Sequence, residues 1–200
     1  MLIAQNHSAT KQIFHHGHST VHARFVQAIV VKQGNLFLLC LRDGDILTPS
    51  EQGLYFHDMR YLSLQTLRLN GSQLVSRQAS VSECANAAFD LTNPDLLDAA
   101  GNRCVRKETL GIQRRKCLGG TYTETLTIHN YTWEPAVFTL TLHYEADFVD
   151  MFVVQGATPT KRGTLHEPQW QESTLCFRYD GADGRTRSTT IAALAAQDQL

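Results

Sequence analysis

"GTYTETLTIHNY", residues 120–131, is the stretch whose reading decides the fold class. On an extended chain Thr121, Thr123, Thr125 and Thr127 fall on one side. Tyr122, Leu126 and Ile128 fall on the other, interrupted by Glu124. A period of two over this length predicts a β-strand with one buried and one wetter face, the mark of an antiparallel sheet. The next segment, "AVFTLTLHYEADF" (136–148), repeats the pattern, with Phe138, Leu140, Leu142 and Tyr144 directed inward. "TWEP" (132–135) makes the reversal between them, since Pro135 cannot donate to a central ladder.

Turn chemistry extends this reading along the chain. Asn70-Gly71 tolerates the positive φ angles of a type I′ hairpin turn and follows the strand-like "YLSLQTLRL". Gly34-Asn35 breaks "FVQAIVVKQGNLFLLCL" into a second hairpin, and "YDGADGR" joins "STLCFRY" to "TRSTTIAALAA" in a third. "FDLTNPDLLDAAGNR" (89–103) and "TPTKRGTLHEPQW" (158–170) read as loops. The expected fold is therefore all-β: a two-sheet antiparallel β-sandwich, supersandwich-like, with short loops and at most minor helix. Residues 1–24 read as a flexible arm. Residues 25–200 read as a single sandwich domain, the N-terminal part of a longer chain.

Composition excludes several function classes. A 42% hydrophobic and 18% charged chain of 200 residues can bury a good core. A net charge of −1 leaves no basic excess for nucleic acid. The longest apolar run, "GNLFLLCL", falls far short of the ~20 residues that span a membrane. The five cysteines are odd in number, widely spaced and without C-x-x-C, which fits reduced thiols in the cytoplasm. His15, His16, His18 and His22 lie in the polar arm and read as solvated, and Asp43 and Asp45 read as turn residues. No cofactor and no metal is expected.

"YEADFVDMFVVQG" (144–156) holds two acids, Asp147 and Asp150, in an apolar setting. A glycosidase needs its two carboxyls about 5–5.5 Å apart to retain configuration, or about 6.5–9.5 Å apart to invert it. Three residues of extended strand separate Cα atoms by roughly 10 Å and point the side chains to opposite faces. These acids therefore read as structural or interdomain groups that cap amides or pair with arginine. Asp58 and Arg60, two apart on a strand, share a face and could pair with each other, which reads as a fold-stabilising or interdomain pair. The loop tryptophans Trp133 and Trp170 are the candidate glucan contacts, because sugar faces stack on exposed rings.

Four segments in order carry a resemblance: Gly44–Gly71 ("GDILTPSEQGLYFHDMRYLSLQTLRLNG"), "FDLTNPDL", "LGIQRRKCLGGTYTETLTIHNY" and "YEADFVDMFVVQGATPTKRG". From about residue 25 to at least 165 the chain resembles the N-terminal domain of bacterial and archaeal glycogen debranching enzymes of the amylo-α-1,6-glucosidase type. It departs from that family's pattern at Asp58-Met59-Arg60, where the family has Asp-Thr-Arg, and at Gln155, where the family has arginine. The resemblance implies a non-catalytic β-sandwich packed against an (α/α) catalytic barrel on the same or a partner chain, shaping its glucan cleft. No hydrolytic activity is expected of this chain alone, since nothing in it has the 3.6-residue periodicity of a helical barrel. Two other readings stand beside this one. The first is a free-standing carbohydrate-binding sandwich. The second is an enzyme using Asp147, Asp150 or Glu124.

Overall fold

The computed structural model describes residues 28–82, 85–159 and 161–194. The histidine-bearing arm and Cys84 lie outside the described residues. Nearly every element is a strand. The first sheet, in the order β1-β2-β3-β4, comprises β1 (Ile29–Gln33), β2 (Leu36–Cys40), β3 (Gly53–Phe56) and β4 (Met59–Leu62). β5 (Leu64–Leu69) and β6 (Ser72–Gln73) form the next hairpin and are joined by β13 (Leu140–Glu145) on the far edge of β5. The third sheet is built from β7 (Val75–Ser82), β8 (Asn86–Thr92), β11 (Leu110–Gly119) and β12 (Thr121–Asn130), in the order β12-β11-β8-β7. β9 (Leu96–Leu97) and β10 (Arg103–Val105) make a two-stranded ribbon. The last sheet gathers β14 (Thr164–Leu165), β15 (Gln169–Gln171), β16 (Thr174–Asp180) and β17 (Thr186–Ala192) around β16. A single short helix, α1 (Met151–Val154), occurs among the described residues.

This overturns the two-sheet sandwich. The strands divide into four small antiparallel sheets plus the ribbon, an almost all-β arrangement like the blades of a four-bladed propeller. The physical reason lies in strand partnering. β12 and β13 flank the reversal at Pro135, yet they do not pair with each other. β12 stays with β11, from Leu110↔Asn130 to Gly119↔Thr121, whereas β13 crosses to β5, from Leu140↔Leu69 to Glu145↔Leu64. Alternation identifies a strand and its buried face. It carries no information on which distant edge the strand will join.

The hairpin turns follow from residue chemistry. Asn70 and Gly71 both take positive φ, 46° and 75°, and close Leu69 onto Ser72. Gly34, at φ 58°, closes Gln33 onto Leu36. The two stretches read as loops contain strand: Phe89–Thr92 completes β8, Leu96–Leu97 is β9, and Thr164–Leu165 is β14.

Two apolar clusters organise the interior. The larger joins Leu38, Ile46, Leu67, Leu69, Phe89, Leu91, Leu110, Ile112 and Leu118 across the first three sheets. The smaller holds Ala146, Phe148, Leu175 and Phe177, with Met59, Tyr61 and Tyr179 packed against it, and ties the last sheet to β4 and the start of the 146–156 segment.

Candidate functional site

The turn between β3 and β4 is made by His57 and Asp58, with φ of 47° and 63°. Left-handed backbone at two successive non-glycine residues is uncommon and persists where surrounding structure imposes it. Here the two-residue hairpin loop that joins Phe56 to Met59 favours it, and the 147–156 segment clasps the turn. Met151 N donates to Asp58 O at 2.7 Å, Arg60 N donates to Val149 O at 2.9 Å, and Met59 bridges Asp150. Phe148, also left-handed at φ 49°, turns the chain so that its ring meets Tyr61 edge-on at 5.5 Å and stacks on Tyr179 at 5.6 Å.

Side chains complete this lock. Arg60 donates from Nε and Nη2 to the Asp147 carboxylate at 3.1 and 2.5 Å, and from Nη1 to the carbonyls of Ser50 and Gln52 at 2.7 and 3.2 Å. Burial alone would depress the guanidinium pKa. The hydrogen bonds and charge of Asp147 outweigh that and hold it above its ordinary value. Gly53 is required beside it: a Cβ there would lie 2.6 Å from Arg60 Cδ and 2.9 Å from the Leu62 carbonyl. Asp150 accepts from Phe152 N at 2.8 Å and caps α1. Around the lock Phe56, His57, Asp58 and Phe152 face solvent.

A second constellation lies in the core. Arg114 and Lys116 point inward from β11, and both side chains are 0% exposed. Arg114 donates from Nη1 to Asp45 at 2.6 Å and from Nε to Glu124. Lys116 donates to Gln65 Oε1 at 2.7 Å, with Glu124 at 3.9 Å, and Tyr122 donates to the same Gln65 oxygen at 2.8 Å. Arg68 adds a 2.5 Å pair to Asp45, and Gln73 donates to Asp43 at 2.9 Å. Burial, then the charge of Arg114, pushes the Lys116 ammonium down to about 8. Burial pushes Glu124 the other way, but Lys116 and Arg114 prevail and hold its carboxyl below the usual range. This knot joins the Asp43–Asp45 turn, β5, β11 and β12. It is structural, with every acid committed to a cation, an amide or a backbone N–H.

The family described as the N-terminal domain of (some) glycogen debranching enzymes matches residues 31–200. The chain belongs to that family. No curated protein matches it significantly.

In this debranching-enzyme domain the candidate residues take the following places. Arg60 pairs with Asp147 and not with Asp58, whose backbone carbonyl is used instead. Asp147 and Asp150 are drawn to different tasks, an arginine and a helix cap, although the chain does bend sharply between them. Glu124 is buried in the ionic knot. Trp133 is fully exposed on a loop ordered by Asn130, which accepts from Thr132 N at 3.0 Å and donates to Glu134 O at 2.8 Å. Trp170 lies opposite Leu175 on β15 and is also largely exposed. Among the described residues no group of three His, Cys, Asp or Glu is arranged to hold a metal, and no helix is long and apolar enough to cross a membrane. Sequence reasoning missed Arg114, Lys116 and Gln65. Counting inward positions along β11, from Leu110 through Ile112, Arg114 and Lys116 to Leu118, would have found the first two.

Proposed function

We propose that residues 25–200 form one domain that packs against a helical (α/α) catalytic barrel, on the same or a partner chain, and shapes one rim of its α-glucan cleft. The observation that carries this reading is the Arg60–Asp147 lock. It holds two stretches 87 residues apart in sequence in one preorganised unit, and that unit presents the rings of Phe56 and Phe152 to solvent. Rigid, half-exposed aromatic groups of this kind are typical anchors of protein interfaces. The acid and base of hydrolysis then belong to the barrel, and Trp133 and Trp170 extend the cleft's sugar contacts. Cysteine usage fits a cytoplasmic enzyme, in which the buried Cys40 thiol, pushed up to about 11 by burial, stays inert.

The test is association of the purified 200-residue chain with the barrel domain, followed by calorimetry. Binding that Phe152→Asp weakens supports the docking face. A barrel that does not bind, or binds the Phe152→Asp chain as tightly, overturns it. A second reading, a free-standing carbohydrate-binding module, draws on the full exposure of Trp133. It requires the isolated chain to bind maltooligosaccharides through that loop, and a Trp133→Ala chain that binds as wild type removes it.

A further inference from the structure

In the sheet β12-β11-β8-β7 most of the ionic side chains of β8, β11 and β12 lie on the inner face, among the apolar residues of the core. Its inner face carries Arg114, Lys116 and Glu124. The outward positions of β8, β11 and β12 carry one aspartate, Asp90, and one arginine, Arg115, besides the His129 ring; the rest are small or hydroxyl- and amide-bearing. Charges that would ordinarily face water are spent in the core, which leaves a broad surface without net charge from its acid and arginine.

One end of this surface is aromatic. Gly111 sits at an outward position opposite His129, and the Tyr131 ring lies across it. A Cβ at Gly111 would come within 2.6 Å of Tyr131 Cε2 and 2.8 Å of Cζ. Tyr131 N is held by the Thr109 carbonyl at 2.9 Å, and its ring runs nearly parallel to His129, at 15° and 6.4 Å. The tyrosine nevertheless remains 73% exposed. The next outward row is Gln113, flanked in register by Thr127 and Asp90, with Gln113 Nε2 donating to Asp90 at 3.3 Å. Arg115 and Thr125 form the row beyond. Rows repeat about every 7 Å along the strands.

We propose that this face is a binding track for a neutral α-glucan chain, separate from the interdomain lock. The Tyr131 and His129 rings form its stacking platform, and the Gln113–Asp90 pair with the Thr125 and Thr127 hydroxyls form its hydrogen-bonding rows. Three features fit a polyol better than a protein or an anion. The Asp90 and Arg115 charges balance, the donors and acceptors are short and numerous, and the aromatic end of the face is planar. The choice of an α-glucan, over another neutral saccharide, rests on the debranching reading above.

The test is NMR titration of the full chain with maltoheptaose and, in parallel, with cellohexaose. Expected are saturable amide shifts at Gln113, Arg115, Thr125, Thr127 and Tyr131 with maltoheptaose, weakened roughly three- to tenfold by Tyr131→Ala. Gly111→Val displaces the ring while keeping the tyrosine and should weaken binding similarly; should that strand variant fail to fold, the loop variant Tyr131→Ala carries the test. Equal shifts with cellohexaose overturn the α-glucan assignment. Absence of shifts with both sugars, or shifts confined to the Trp133 and Trp170 loops, overturns the track. Neither result touches docking to the barrel, which is read from complex formation.

Discussion

Replacing Glu124 by glutamine removes one charge from the buried knot while keeping the side chain's shape and one acceptor. Glu124 is only 10% exposed, and its two cations, Arg114 and Lys116, are fully buried. At 3.9 Å from Lys116, with an effective dielectric near 20, the attraction is about 4 kcal/mol. Arg114 is closer still. The burial penalty of both cations is already incurred, so losing their anion leaves it uncompensated. Breaking such a pair typically costs about 3–5 kcal/mol, a large part of the ~5–15 kcal/mol that holds a domain folded. The expected result is a fall of that size in urea unfolding free energy near pH 7, with an unchanged denaturant slope. Adding Lys116→Met to Glu124→Gln restores the local charge balance, so the double variant should recover roughly 1–3 kcal/mol relative to additivity. A Glu124→Gln loss below about 1 kcal/mol, or strictly additive variants, would refute the claim that these groups are electrostatically bound in the interior.

Arg60→Lys keeps the charge but gives up the two-pronged bond to Asp147 and the carbonyl contacts at Ser50 and Gln52; it should cost about 2–3 kcal/mol by urea unfolding. The pH dependence has a defined sign. The folded Lys116 pKa lies near 8, below the 10.5 of a free lysine, so between these values the unfolded chain holds a proton the folded chain lacks and stability rises with pH. From about pH 9 the Cys40 thiol, raised in the fold, acts in the opposite direction. Wild type should therefore gain roughly 1 kcal/mol over Lys116→Met between about pH 8 and 9, read from urea midpoints; a parallel pair of curves would contradict a buried, depressed amine. Trp133→Ala, which truncates a fully exposed ring, should alter unfolding free energy by less than about 0.5 kcal/mol.

What the sequence could disclose was local. The threonine alternation from Thr121 to Thr127, the Asn70-Gly71 turn and the inward set Leu140, Leu142 and Tyr144 all appear in the structure as strands and turns because each depends on neighbours within a few residues. The family was legible too, since four motifs in order do not depend on three-dimensional contacts. Sheet membership was not, because the pairing of β13 with β5, from Leu140↔Leu69 to Glu145↔Leu64, is a match between edges distant in sequence that no short-range pattern encodes. The lock shows the same limit at one residue. Strand geometry sends Asp147 and Asp150 to opposite faces only on an extended backbone. Phe148 breaks it by taking a positive φ that its side-chain type gives no reason to expect. That bend lets Asp147 reach Arg60 while Asp150 starts a helix, so the two acids are separated by their partners and not by strand geometry. If the bend exists to seat Phe148 between Tyr61 and Tyr179, then Phe148→Ala should loosen the Arg60–Asp147 pair without touching either residue. Amide exchange at Arg60 and Met151, whose hydrogens bond to Val149 and Asp58, would report it: faster exchange is expected at both, and unchanged protection would mean that the lock stands without its aromatic support.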